Sequence, residues 1–118
     1  MNLARLASDA WSRDPIEVRV LSSWRERLRG LLGSGEDARA VLITRCGSIH
    51  TFGMRYPLDV AFLSEVGVVL AVFRSVSPGE FRSHPEAWCT IERPARKGAW
   101  LEEGEQLWVV SVSVGMAG

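Results

Sequence analysis

The chain has 118 residues, 47% hydrophobic and 24% charged, which is enough apolar material for one compact domain with its own core and no second module. Its 14 Lys+Arg balance its 14 Asp+Glu, so a partner bound by neutralising nucleic-acid phosphates is not expected. The longest apolar run, residues 66–73, is too short to span a bilayer as a helix, and two cysteines, Cys46 and Cys89, do not make a disulfide framework. No nucleic acid and no membrane are therefore expected among its partners.

In chain order, Leu3, Leu6, Ala7, Ala10 and Trp11 recur at helical spacing. The spacing predicts a short helix over 2–12, within an N-terminal appendage of residues 1–14. Arg5, Ser8 and Asp9 interrupt any apolar secretion signal, so a cytoplasmic protein with reduced thiols is expected. Ile16, Val18 and Val20 alternate with charged residues as in a half-buried strand, and Pro15 suits its start. Ser23 and Glu26 fit a capping box. Trp24, Leu28, Leu31 and Leu32 then form an apolar stripe on one short helix near residues 23–32, with Gly30 and Gly33 able to end it.

Residues 40–43 read as a short buried strand, and 58–63 and 68–76 as a hairpin about a turn at 64–67. Residues 87–92 read as a further strand ended by Pro94, 95–101 as a single helical turn, and 106–114 as the last strand. About six short strands, one convincing helix and no crossover helices predict a mainly β chain. The expected fold is a small single-domain β-barrel or sandwich-like structure covering residues 1–118.

Four groups of residues carry a resemblance. The first is Trp24-Arg25-Glu26-Arg27-Leu28-Arg29-Gly30-Leu31-Leu32, after the first strand. The second is Phe52-Gly53-Met54 with Pro57-Leu58-Asp59-Val60-Ala61-Phe62-Leu63, followed by Gly67-Val68-Val69. Ile91-Glu92-Arg93-Pro94-Ala95 and Gly104-Glu105 complete the set. Over roughly residues 15–110 this order resembles the family called domain of unknown function 192. The stretch from Cys46 to Met54, reading Cys-x-x-Ile-His-Thr-Phe-Gly-Met, is similar to a bacterial subgroup of it. The resemblance implies a compact β-barrel-like core and no assigned activity. Arg96 stands where glycine is usual in the family, so a backbone role for that glycine, such as positive φ, is not carried over.

Chemistry concentrates in residues 46–59. The lead reading is a binding loop at the mouth of the fold, in which His50, Thr51, Met54, Arg55, Tyr56 and Asp59 recognise a small polar molecule or a protein partner. Arg25, Arg27 and Arg29 read as a solvated helix face, with an anion-recognising edge as the alternative. A second reading is a hydrolase-like enzyme, with Asp59 and Glu92 flanking a substrate, one protonated and one ionised, and His50 beside them. Cys46 as a nucleophile, with His50 as base and Asp59 orienting it, is a further catalytic reading; an extended 46–50 segment would hold that pair more than about 12 Å apart. A lesser alternative is a structural zinc on Cys46, His50, His84 and Cys89. Neither Cys/His spacing is that of a zinc knuckle, so no metal and no cofactor are expected.

Asp59 lies within an apolar strand, where a carboxylate needs partners or a shifted pKa. Backbone N–H groups of the 51–56 loop, or Arg55, are expected to hold it in a structural role. Trp11, Trp24, Trp88, Trp100 and Trp108 are expected in the core or at its boundary.

Overall fold

The fold is taken from a computed structural model, which describes residues 2–10 and 14–114 and, at Trp24, the backbone alone. The described strands are β1 (Asn2–Ser8), β2 (Ile16–Leu21), β3 (Val41–Thr44), β4 (Ser48–His50), β5 (Leu58–Leu63), β6 (Val69–Val76), β7 (Phe81–Ser83), β8 (Cys89–Pro94) and β9 (Leu107–Val114), with one helix, α1 (Trp24–Arg29). Seven strands form one sheet in the order β6-β5-β8-β3-β2-β1-β9, and β4 pairs with β7 in a separate ribbon. The chain is mainly β with one short helix, as expected. The large sheet curls without closing into a barrel: among the described residues its edge strands approach only where they begin, at the isolated bridge Val68–Gln106 and the flanking Leu107 N–H to Gly67 and Val69 N–H to Glu105 bonds, so the layering is sandwich-like.

The segment expected to be a helical appendage is instead a strand inside the sheet. β1 pairs antiparallel with β2 on one side and with β9 on the other. Ala4 and Leu6, alternate residues, are buried, so period two wins over the helical spacing of Leu3, Leu6 and Ala7 once two neighbours supply ladder partners. Residues 11–12 of that predicted helix, and Trp11 with them, lie outside the described residues. β2 and β3 pair in parallel, and α1 lies in their connection, so one crossover helix exists where none was expected.

β5 is buried along its whole length. Leu58, Val60 and Phe62 enter one apolar cluster with Val41, Ile43, Ile49 and Leu31. Ala61 and Leu63 enter a second on the other sheet face, with Leu6, Val18, Ile91 and Trp100. Each large side chain buried this way contributes about 1.5–3 kcal/mol.

Two local expectations change. The capping box forms: the Glu26 N–H donates to the Ser23 hydroxyl and the Ser23 N–H to the Glu26 carboxylate. The helix then stops after six residues at Gly30, with φ 53°. The apolar stripe is consequently not buried as a unit. Leu31 goes into the core, while Leu28 and Leu32 are 72% and 38% exposed.

Residues 95–101 form no helical turn. Arg96 does not take positive φ, and Gly98 does (98°); the carbonyls of Arg96 and Gly98 accept from the Arg74 guanidinium. Trp100 is buried, while Trp88 and Trp108 are half exposed. Among the described residues, no helix is long and apolar enough to cross a membrane.

Candidate functional site

Asp59 is fully buried and held from several sides. The β5–β6 register slips between Leu58 and Val60, leaving Asp59 opposite a bulge at Arg74 and Ser75, where Ser75 has φ 53°. The Ser75 N–H donates to Asp59 Oδ1 at 3.0 Å and Arg74 Nε at 3.2 Å, while Arg93 Nε donates to Oδ2 at 2.8 Å. Arg93 also stacks over the Trp100 ring at 4.4 Å. Burial alone would raise the Asp59 carboxyl, but the Ser75 amide and the two guanidiniums outweigh it and hold the group below its ordinary value. The partners come from β6, β8 and the chain after β8, not from the 51–56 loop or Arg55. The sequence could not show this, because the bulge that brings Arg74 and Ser75 together depends on strand register.

Thr51 is the clasp of the 46–59 segment. Its buried hydroxyl donates to the Ser77 carbonyl (2.6 Å) and accepts from the Glu80 N–H (2.8 Å). Its own N–H and C=O bond to Glu80 and Gly79. The segment is thereby tied to the 77–80 turn, and the turn in turn is stiffened by an ion pair between Glu80 and Arg82 (2.9 Å).

Between α1 and this segment lies a cavity of about 420 Å³, within the range usual for small-molecule sites. Ile43, Ile49 and Met54 give it apolar walls. His50 stacks on Phe52, with ring centroids 5.3 Å apart, and both line it. Phe52, like Leu28, is largely exposed (56%). Arg27, Arg29 and Arg45 also line the cavity; Arg45 takes φ 47° in the turn between β3 and β4.

The inner wall carries Glu92. It is 5% exposed, and Gly30 packs so close that an added Cβ there would lie 3.6 and 3.7 Å from its two carboxylate oxygens. Among the described residues no donor or opposite charge offsets its burial, which pushes the carboxyl up to about 7. A carboxyl in this state can hold or release a proton near neutrality, or accept a charged donor from a bound molecule.

The candidate residues are thus divided. His50, Met54, Cys46 and Glu92 face the cavity. Asp59 does not: Glu92 lies opposite Val60 and Val41, both in the cluster on its own face, whereas Asp59 shares the parity of Ala61 and Leu63 on the other face. The two carboxylates therefore do not flank one substrate position. Arg55 is exposed on the far side of Met54, beside Tyr56, whose hydroxyl donates to the Ser34 carbonyl.

Cys46 donates to the Ser48 carbonyl at 3.0 Å rather than to His50. Cys89 is pushed up to about 11 by burial and by neighbouring Cys46. His84 Nδ1 accepts from the Glu86 N–H. Among the described residues no three metal-ligating side chains converge, so the quartet Cys46, His50, His84 and Cys89 is not assembled. Arg45 and Gly30 as cavity lining were missed in the sequence, and Arg27 and Arg29, read there as a solvated face with an anion-recognising edge as the alternative, line the cavity too. The available signal was an apolar stripe broken by a glycine, which leaves Leu28 and Leu32 without a core to enter.

Fold and cavity together define a small mainly β domain with a single helix packed over a buried carboxyl. The chain belongs to the DUF192 family, described as "Uncharacterized ACR", whose model matches residues 6–106. No curated protein matches it. Two solved structures are similar. One, a protein of unknown function from Novosphingobium aromaticivorans, is 13% identical, with a TM-score of 0.73 over 90% of this chain and 84% of that one. The other, from Sinorhizobium meliloti and provisionally described as a transcription regulator, is 20% identical, with a TM-score of 0.73 over 92% of each chain. At these identities the likeness establishes the fold alone.

Proposed function

We propose that this DUF192 protein is a binding domain for a small polar molecule, which enters between α1 and the 46–54 segment. The observation that carries this reading is Glu92, a carboxyl with no protein partner facing a cavity of about 420 Å³. His50, Phe52 and Met54 form the outer contacts, and Thr51 holds the segment in place from beneath. Titration of the labelled protein with a library of metabolite-sized compounds, followed by two-dimensional NMR, tests it. Binders are expected to shift the amides of Gly47, Ile49 and His50. A library that moves none of them, or only amides remote from the cavity, refutes the reading.

Hydrolase-like chemistry is a second reading, favoured by the Glu92 carboxyl standing near 7, where a general acid or base works best. It would use Glu92 with His50 and without Asp59. Turnover that survives Glu92→Gln at full rate rules it out.

A further inference from the structure

Three buried carboxylates occur among the described residues, and they are treated differently. Asp59 receives Arg74, Arg93 and the Ser75 amide. Glu105 accepts from the Ser8 hydroxyl at 2.6 Å and the Glu102 N–H at 2.6 Å. Glu92 receives no donor, yet it is the one whose oxygens open onto a cavity. A carboxyl removed from water without a donor keeps a large unused capacity for one.

The groups around it decide which ligand fills that capacity. On β3 and β5 it lies opposite Val41 and Val60, with Ile43 in the same apolar cluster. From α1 come Arg27 and Arg29, from the β3–β4 turn Arg45 and Cys46, and from β4 His50, all on the cavity wall; Tyr56, which feels the Glu92 charge, is occupied with Ser34. Arg29 is anchored by its Nε to the Leu32 carbonyl at 3.1 Å. Arg27 and Arg45 form no ion pair among the described residues. Among the described residues the cavity therefore combines a carboxyl without a cation, apolar walls of Leu31, Ile43 and Ile49, and two arginines, Arg27 and Arg45, without an ion pair.

We infer that the ligand is a dipolar molecule: an amine or guanidine group seated on Glu92, a short apolar spacer against Ile43 and Ile49, and a carboxylate or phosphate held by Arg27 and Arg45. This rests on the small-molecule reading above and names the class of ligand. An anion at the inner end would be repelled by ionised Glu92, and a neutral acceptor would gain only one ordinary hydrogen bond. A cation gains a charge-assisted bond to a carboxylate that is largely buried and has no competing donor among the described residues. Binding such a cation below neutrality displaces the Glu92 proton, so affinity must rise with pH until Glu92 is ionised in the free protein.

Calorimetric titration with a graded series of linear ω-amino acids tests the inference, each compared with the amine-only and acid-only compounds of the same length. The best ω-amino acid is expected to bind at least about tenfold more tightly than either truncated compound, and about thirtyfold more tightly at about pH 8 than at about pH 5.5. Glu92→Gln is expected to abolish the pH dependence and the preference for the amine, and Arg27→Gln with Arg45→Gln the preference for the acid group. Acid-only compounds binding as well as the dipolar ones, affinity falling as pH rises, or no binding by any of the series overturns the ligand class. If cavity amides still respond to other compounds of the library, the small-molecule reading survives that failure; if none does, both fall.

Discussion

Replacing Glu92 by Gln in the ligand-free protein is expected to stabilise it, but only at neutral and alkaline pH. The Glu92 carboxyl titrates at about 7 in the folded chain, against 4.5 for an ordinary glutamate. Below about pH 4.5 both folded and unfolded chains carry the proton, and the residue costs nothing beyond its packing. Between 4.5 and about 7 the unfolded chain loses the proton first and binds fewer protons, so stability falls as pH rises; above about 7 the whole difference has been lost, about 3 kcal/mol. Glutamine has nearly the same shape, cannot ionise, and places its amide on the same cavity wall. The variant should match the wild type at about pH 4.5 and exceed it by about 3 kcal/mol at about pH 8, a rise in Tm of about 10 °C for a domain of this size. Thermal and urea unfolding at a series of pH values measure the difference directly, and subtracting variant from wild type cancels the titration of every other group. Parallel stability curves, or a wild type that is the more stable at pH 8, would show that Glu92 has a donor after all.

Asp59→Asn should destabilise by about 3 kcal/mol, because the amide keeps one acceptor oxygen and turns its NH2 towards either the mostly buried Arg93 guanidinium or the Ser75 N–H, and the neutral group no longer balances Arg93; Arg74, half exposed, can turn to water and limits the loss. Since Asp59 is held below the usual carboxylate range, the wild type should also lose stability as pH falls below about 4, and urea unfolding should show that loss reduced in the variant. Thr51→Val keeps the shape but strands the Glu80 N–H and the Ser77 carbonyl, so a loss of about 2 kcal/mol is expected, with faster hydrogen exchange at Met54 and Gly79. Gly67→Ala must both hold φ near 87° and press its Cβ into the Leu107 carbonyl. A fall in Tm of about 10 °C is expected, from a cost of about 2–3 kcal/mol where β6 meets β9.

Strand alternation was legible wherever one face was buried. Ile16, Val18 and Val20 and the turn at Ser64 to Gly67 lie where the sequence put them; the last strand also forms, although every residue of it after Leu107 is exposed. β1 was misread because Leu3, Leu6 and Ala7 satisfy a helical period while Ala4 and Leu6 satisfy a strand period; pairing with β2 and β9, which no local pattern encodes, decides between them. β4 and β7 are three residues each, too short to show any period, and exist because Thr51 and Gly47 fasten the segments around them.

The site was legible as residue types and illegible as faces. Asp59 and Glu92 are the same chemistry in two apolar strands, and sequence alone paired them across an imagined substrate. Strand register sets Asp59 beside Arg93 and Glu92 beside Val60, so adjacent rungs of one ladder send the two carboxylates to opposite sides of the sheet. The difference in what meets them there is the informative quantity. Asp59 is satisfied by three strong donors and needs no ligand to explain it. Glu92, pushed up to about 7 by burial, is expected to lower the stability of its own fold at neutral pH, a penalty that one substitution of the same shape should remove. A local violation of that kind, at the wall of a cavity lined by Arg27 and Arg45, which form no ion pair among the described residues, is the observation on which the proposed binding role rests.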